Sequence, residues 1–255
     1  MLSVAQIVRQ QRVLLIAHRG NSRVAAENTL PAFESALAVG VDFIELDTHD
    51  SADGVPMVIH DATLDRTTDA RTRWHWTDDE KIPVASKTAA QIDELDAGTW
   101  FNPRLAGTRV PTLAAAIDTV IPRAMLMIER KSGSVENCLR VVRDSNAVEQ
   151  VTVQAFDWEF VAEAHRQEPR LVLGALGSKE FDPRKAVEAA SIGATIVNWS
   201  ANDLTAEAIA AIHEAGLRAW TWTVDDPAQA RRLIAAGIDA LTSNVPAMIK
   251  EVLRR

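Results

Sequence analysis

Residues 42–49 read DFIELDTH, and this stretch decides the fold. It is short, rich in β-forming residues and alternates between apolar and polar side chains, which is typical of a strand with two different faces. Because successive side chains of a strand point to opposite faces, Glu45, Asp47 and His49 share one face. The residues between them share the other face, where they can pack against helices. The stretch therefore predicts a mostly buried strand whose acidic side chains all point in one direction.

The same kind of run recurs along the chain. Short apolar runs that favour strands alternate with helical patterns, as in repeated βα units. We predict strands at 13–17, 42–48, 124–130, 150–155, 170–176, 194–198, 217–223 and 239–243. The helical patterns include Leu30–Val39, Leu113–Val120, Val135–Val148, Trp158–Gln167, Ala206–Ala215 and Pro227–Ala236. This rhythm indicates an α/β fold, a closed (β/α)8 TIM barrel. A doubly wound sheet is the alternative, because periodicity alone does not separate the two architectures.

Two segments interrupt the rhythm. A turn signal at Ser51–Gly54 predicts that the second strand continues into a hairpin through Val55–His60. Residues 62–110 then form a long excursion without a strand-plus-helix pattern. Since loops of this length are usually functional, we expect an inserted subdomain over the C-terminal mouth of the barrel. No stretch resembles a linker, so residues 1–255 are predicted to form a single domain.

Composition restricts the partners. The chain has 255 residues, is 47% hydrophobic and carries a net charge of −8, with both signs mixed along it. It shows no basic face, so we expect a small-molecule substrate and no nucleic acid. The single cysteine, Cys138, is interpreted as a small buried hydrophobe. We find no transmembrane segment or signal peptide, which makes the cytoplasm the expected location. The oligomeric state stays open, a homo-oligomer included.

A carboxylate cluster follows from strand parity. Glu129 and Lys131 share a face at the end of a later strand, as Glu45 and Asp47 do in theirs. The C-terminal ends of barrel strands meet at one mouth, where three carboxylates would repel one another unless a cation lay between them. Oxygen ligands favour one divalent cation, Mg²⁺ or Ca²⁺, over zinc. The alternative is that Glu45 and Asp47 are surface charges on an edge strand.

Two histidines flank this cluster. His18 and Arg19 close the first strand, and His60 ends the hairpin. An imidazole can accept a proton in one step and donate it in another near neutral pH. Cleavage of a phosphodiester needs both roles, together with positive charge to receive the phosphate. Arg19, Lys131 and the metal could supply that charge.

Several ordered motifs carry a resemblance to a known family. They are Ala17–Gly20, Glu27–Phe33, Gly40–Asp47 and Asp53–Thr68, with later echoes at Pro111–Leu113, Glu129–Lys131, Gln154–Phe156, Trp222–Asp225 and Ser243–Pro246. In these motifs, densest over residues 17–68, the chain resembles the glycerophosphodiester phosphodiesterase family.

The resemblance implies metal-dependent hydrolysis of glycerophosphodiesters to an alcohol and sn-glycerol 3-phosphate. It also implies that the neighbouring glycerol hydroxyl attacks phosphorus first, giving a cyclic intermediate that water then opens. The implied roles are metal ligands for Glu45, Asp47 and Glu129, an acid–base pair for His18 and His60, phosphate contacts for Arg19 and Lys131, and a glycerol pocket with Trp222 and, beside it, Gln154. Glu27 and Asn28 are either substrate contacts or braces of the first βα loop.

Three departures from the family pattern stand out. Asn244 occupies a position where the family often has Asp, and Ala155 replaces a usual Ser. Between Thr68 and Gln91 the chain is also roughly ten residues longer than the common form. Within that segment, Arg71–Trp76 is predicted either to form a lid on the alcohol side of the substrate or to pack the excursion onto the barrel.

Other functions stay open from the sequence. The same site could act on a lysophospholipid, as a lysophospholipase D, or on another phosphodiester. A function of a different class is a catalytically silent binding protein on the same fold. A metal-dependent aldolase or isomerase would not require the two histidines.

Overall fold

Eight parallel strands form the wall of the fold in the computed structural model, which describes residues 2–77, 79–121 and 123–254. The strands are β1 (Leu14–Ala17), β2 (Phe43–Asp50), the antiparallel β3 (Pro56–Val58), β4 (Met125–Arg130), β5 (Val151–Ala155), β6 (Val172–Gly177), β7 (Ile196–Ser200), β8 (Arg218–Trp222) and β9 (Ala240–Ser243). Strand β1 pairs with both β9 and β2, which closes the sheet. The (β/α)8 TIM barrel is confirmed, and the doubly wound sheet is excluded.

Helices cover the outside of the barrel, except for the first, which lies at its N-terminal end, and two short ones in the excursion. In chain order they are α1 (Val4–Ile7), α2 (Leu30–Val39), α3 (Ala70–Arg73), α4 (Ala89–Asp93), α5 (Leu113–Val120), α6 (Val135–Asp144), α7 (Trp158–Gln167), α8 (Arg184–Ser191), α9 (Ala206–Glu214), α10 (Pro227–Ala235) and α11 (Pro246–Leu253). Several begin at side chains that bind first-turn amides, among them Thr112, Asp157 and Thr205. Among the described helices, none is both long and apolar enough to cross a membrane.

The apolar core lies in two layers. The larger one fills the space between the strands and the surrounding helices and includes Cys138, which is buried as predicted. The smaller one fills the N-terminal end of the barrel, where Val4 and Ile7 of α1 pack toward Phe43 and Trp220. The two aromatic rings meet edge to face with centroids 5.3 Å apart. Because apolar side chains fill this end, the polar interior residues gather at the opposite, C-terminal mouth.

The excursion has more structure than its sequence predicted. After β3 pairs with the end of β2, the chain forms α3, α4 and two short 3-10 turns before reaching α5. These pieces bury an apolar cluster of their own, which includes Leu64, Ile82 and Ile92. Each piece is too short to show helical periodicity, so the sequence indicated an inserted subdomain without locating its helices.

Candidate active site

Three buried carboxylates meet at the C-terminal mouth. Glu45 and Asp47 lie on β2 and Glu129 lies on β4, with Asp47 and Glu129 in direct register. One oxygen from each residue lies within 4.8 Å of the others. All three side chains are buried, so the surface-charge alternative for Glu45 and Asp47 is wrong. The structure thus brings together the trio predicted from strand parity.

The first βα loop supplies donors to this cluster. The Arg19 amide donates to Glu45 Oε2 over 3.0 Å, and the Asn28 side-chain amide donates to Asp47 Oδ2 over 2.8 Å. Asn28 Oδ1 in turn accepts from the Asp47 amide. Arg19 and Asn28 both have left-handed backbone, with φ of 55° and 58°, which turns the loop toward the carboxylates. Asn28 therefore braces the loop against Asp47 within the structure.

Two positively charged side chains, Arg19 and Lys131, lie beside the carboxylates. Arg19 Nε lies 3.1 Å from Asp47 Oδ2, and Lys131 Nζ lies 3.2 Å from Asp47 Oδ1 while also contacting Glu129. Although burial opposes ionisation, Lys131 and Arg19 lower the pKa of Asp47. Burial and the neighbouring acids raise the pKa of Glu45, and burial together with Asp47 raises that of Glu129 to about 7.

The raised pKa values express a shortage of positive charge at the cluster. Glu45 Oε1 is buried and accepts no hydrogen bond from the residues the structure describes. The unsatisfied oxygens of Asp47 and Glu129 face the Lys131 ammonium. This compact set of buried carboxylate oxygens, with Glu45 Oε1 left without a hydrogen bond among the described residues, fits the binding of a divalent cation.

His18 is held by a neutral amide. Its Nδ1 lies 2.7 Å from Asn244 Oδ1, and the Asn244 amide nitrogen donates to Asp225 Oδ2 over 2.7 Å. The bond to Asp225 fixes which end of the amide faces His18, so Oδ1 accepts and Nδ1 of His18 carries hydrogen. Burial, reinforced by the positive Arg19, lowers the pKa of His18 to about 4. The ring is therefore neutral near pH 7, with an unprotonated Nε2.

His60 is held by a carboxylate. Its Nδ1 lies 2.8 Å from Asp61 Oδ1, and Arg66 Nε donates to Asp61 Oδ2 over 2.7 Å. The Arg66 guanidinium holds the pKa of that carboxyl well below its usual range, with a further contribution from His60. Arg66 also binds Glu27, which pairs with Arg19. Asp61 and Arg66 were not predicted, although both lie inside the motif at Asp53–Thr68.

His49 has a bracing position. Its Nε2 lies 3.0 Å from the His60 carbonyl oxygen and its Nδ1 lies 2.7 Å from Ser132 Oγ. Because a carbonyl only accepts, Nε2 donates and Nδ1 accepts from the hydroxyl. Burial lowers the pKa of His49, which favours this neutral form. The residue ties β2 to the backbone of His60.

One cavity of about 210 Å³ brings most of the predicted residues together; it is lined by His18, Arg19, Glu45, His60, Glu129, Lys131, Gln154 and Trp222. Trp222 forms an apolar wall, with its ring edge to face against Phe156 at 5.8 Å. Gln154 is buried and accepts a hydrogen bond from Asn198 over 2.9 Å. Sequence reasoning missed Asn198, which no local motif marks.

The Arg71–Trp76 segment does not line this cavity. Trp74 and Trp76 pack against the apolar cluster of the excursion, and the Lys87 ammonium lies 4.9 Å and 5.3 Å from their ring centroids. Trp76 Nε1 donates to the Glu80 carbonyl, and Arg71 pairs with Asp65. The indoles thus contact the excursion itself. Of the two predicted roles, these contacts match packing, and the lid role stays a prediction.

A closed barrel with this arrangement at its mouth defines a class, the TIM-barrel hydrolases that cleave phosphodiesters. The sequence model of the glycerophosphoryl diester phosphodiesterase family matches residues 18–248, so the chain belongs to that family. A glycerophosphodiester phosphodiesterase of Caldanaerobacter subterraneus is 30% identical over 96% of this chain and 99% of its own length. One of Bacillus subtilis is 30% identical over 98% of this chain and 89% of its own.

Solved structures agree with the fold. A glycerophosphodiester phosphodiesterase from Agrobacterium tumefaciens superposes with a TM-score of 0.79 at 30% identity, covering 94% of this chain and 99% of that one. A phosphodiesterase from Oleispira antarctica, solved with its product sn-glycerol-3-phosphate, superposes with a TM-score of 0.84. It is 24% identical and covers 95% of this chain and 97% of its own, and this likeness supports the fold alone.

Proposed function

We propose that the chain hydrolyses glycerophosphodiesters to an alcohol and sn-glycerol 3-phosphate with one divalent cation. The observation that carries the proposal is a cluster of three buried carboxylates, two of which line one cavity together with two differently held histidines. Family membership supports the reaction class. The product held by the Oleispira antarctica relative supports sn-glycerol 3-phosphate as the released phosphoester.

Glu45, Asp47 and Glu129 would hold the cation, which we propose to be Mg²⁺ or Ca²⁺ because all donors are oxygens. When bound, such an ion polarises the phosphoryl group and stabilises the charge that develops on it. Arg19 and Lys131 border the same cavity and place two further positive charges where the phosphate would lie. Local positive charge explains how a chain with a net charge of −8 could receive an anionic substrate.

His18 is proposed as the general base. The Asn244 carbonyl oxygen holds its Nδ1–H, so the free Nε2 lone pair is ready to accept a proton. On a glycerophosphodiester this proton comes from the glycerol hydroxyl beside the phosphate, whose oxygen then attacks phosphorus. The glycerol would lie against the Trp222 wall, with Gln154 on the cavity floor.

His60 is proposed as the general acid. The Asp61 carboxylate accepts from Nδ1–H and orients the ring, so that its other nitrogen can give a proton to the leaving alkoxide. In the second step the roles exchange: His60 takes a proton from water, whose oxygen attacks phosphorus. The bond from phosphorus to the attacking glycerol oxygen of the first step breaks, and His18 returns its proton to that oxygen. Asp61 keeps its own negative charge because Arg66 binds both of its oxygens.

The test is a product assay on the purified chain. Glycerophosphocholine, glycerophosphoethanolamine and glycerophosphoinositol are incubated with Mg²⁺, with Ca²⁺ or with a chelator, and ³¹P NMR identifies the phosphoester. We expect sn-glycerol 3-phosphate only in the presence of a cation. Glu129→Gln should abolish the reaction, whereas the exposed Glu149→Gln should not change it. Release of a phosphorylated head group, or cation-independent turnover, would refute the proposal.

A second substrate class has one observation in its favour. Phe156 is 48% exposed at the mouth, where it extends the apolar Trp222 wall toward solvent. An acyl chain on the glycerol could lie along this wall, giving lysophospholipase D activity at the same site. Choline release from lysophosphatidylcholine tests this, and Phe156→Ser should lower that activity more than activity on glycerophosphocholine. Equal losses on both substrates would contradict a role for Phe156 in binding an acyl chain.

A further inference from the structure

A second cavity, wide open to solvent, adjoins the first and does not include Trp222. It measures about 410 Å³ and shares His60 and Lys131 with the catalytic cavity. Asp61 and two residues of the excursion, Thr63 and Lys81, also line it. The shared residues place this cavity beside the proposed phosphate site, so the alcohol of a bound diester can enter it past His60.

The excursion holds Lys81 in place beside this cavity. Thr63 and Pro83 form an antiparallel bridge. The backbone bonds from Leu64 to Ile82 (2.9 Å) and from Val84 to Ala62 (3.0 Å) extend the pairing on either side. Ile82 is fully buried in the apolar cluster of the excursion. Since neighbouring side chains of an extended segment point in opposite directions, burial of Ile82 leaves Lys81 at the surface, facing the cavity.

The other charges around this cavity already have partners within the protein. Lys131 pairs with Asp47 and Glu129, and Asp61 pairs with Arg66 and His60. Lys81 differs, because no hydrogen bond or ion pair joins it to any residue within 2–77, 79–121 or 123–254. An exposed ammonium at the exit of a phosphodiesterase site is positioned to bind the ligand rather than the fold.

We infer that the cavity between His60 and Lys81 is the head-group subsite, and that Lys81 makes the chain favour glycerophosphodiesters whose alcohol carries an anionic group such as a carboxylate. The inference rests on the proposed function and deepens it by naming the substrate class. A carboxylate two or three bonds beyond the leaving oxygen would lie within reach of a flexible lysine side chain. Neutral and purely cationic head groups would gain nothing from this contact.

Glycerophosphoserine and glycerophosphoethanolamine form a matched pair of probes, because they differ by one carboxylate. We would measure kcat/KM for both with the full chain, Lys81→Ala and Lys81→Glu. Arg104→Ala is the control, since it removes one exposed positive charge from the same excursion, away from the cavity. Lys81→Ala should lower the serine-to-ethanolamine ratio about threefold and Lys81→Glu about tenfold, the scale of an exposed ion pair and its reversal. Arg104→Ala should leave the ratio unchanged.

The outcomes distinguish a failure of the head-group subsite from a failure of the proposed function. A ratio that falls in both Lys81 variants, with ethanolamine turnover retained, supports the subsite. A ratio that stays constant while both diesters are hydrolysed overturns the subsite and leaves the proposed function standing. If the unchanged chain hydrolyses neither diester, the proposed function fails and the subsite fails with it.

Discussion

His18 donates its Nδ1–H to a neutral amide, whereas His60 donates to a carboxylate. At the scale of single residues this difference separates two side chains that sequence alone leaves equivalent. Asn244 offers the first ring a neutral acceptor, whereas Asp61 offers the second ring an anionic one. The amide at Asn244, where the family often has Asp, therefore contributes to the assignment of roles.

The assignment predicts a difference between two variants. His18→Ala and His60→Ala should each lower turnover of glycerophosphocholine at least ~10²-fold, the usual loss when an acid–base group is removed. A nitrophenyl phosphodiester of glycerol should restore much of the rate to His60→Ala, because its leaving group needs no proton. His18→Ala should gain nothing from that substrate. Rescue of the His18 variant instead would reverse the two roles.

Individual residues differ in how well sequence predicts them. Strand parity places Glu45, Asp47 and Glu129 together because barrel geometry fixes where strand ends meet. The network of Arg66 with Asp61 and Glu27 joins residues up to 39 positions apart through loop geometry. No periodicity constrains loops in this way, so these partners could not be inferred beyond their presence in a motif.

At the scale of elements, the sequence predicts the barrel strands well and the short elements of the excursion poorly. The eight predicted strands match the observed ones to within two residues at each end, since each is a short and mostly buried run between helical segments. The excursion instead combines helices of four or five residues with 3-10 turns around a small apolar cluster. Such pieces are stabilised by contacts with one another, and those contacts leave no periodic pattern in the sequence.

The contacts of the excursion predict a stability effect for its tryptophans. Trp76→Ala should lower the melting temperature by about 3–6 °C, because it removes a half-buried ring and its bond to the Glu80 carbonyl. The ranking of choline, ethanolamine, inositol and glycerol head groups should stay the same. Lys87→Met, which removes only the cation above the rings, should cost less than half as much. A changed ranking with an unmoved melting temperature would restore the lid interpretation.

At the scale of the whole molecule, the smaller apolar core and the ionisable interior residues lie at opposite ends of the barrel. Helix α1 and the apolar inner residues close the N-terminal end, and the ionisable interior residues collect at the C-terminal mouth. This concentration has an electrostatic cost, expressed in the raised pKa values of Glu45 and Glu129. A bound divalent cation would offset the cost, which links metal binding to both pH and folding.

That linkage predicts a pH-dependent metal effect. Because the pKa of Glu129 is raised to about 7, cation binding below pH 7 must displace a proton. Below pH 7, the apparent Kd for the cation should therefore rise about tenfold for each unit by which the pH is lowered, for each proton released. A carboxyl whose folded pKa exceeds its unfolded value stabilises the metal-free fold at low pH and loses this contribution as pH rises through about 7. The increase in melting temperature on adding Mg²⁺ should therefore be larger at pH 8 than at pH 6. An equal or smaller increase at pH 8 would contradict the linkage.

The most direct measurement is a crystal structure of the chain grown with Ca²⁺ and sn-glycerol 3-phosphate. We predict one anomalous peak with an oxygen each from Glu45, Asp47 and Glu129 at roughly 2.3–2.6 Å. A phosphate oxygen should share that coordination sphere, with the glycerol against Trp222. Calcium bound away from these carboxylates, or the phosphate bound outside the cavity that holds His18 and His60, would contradict the account.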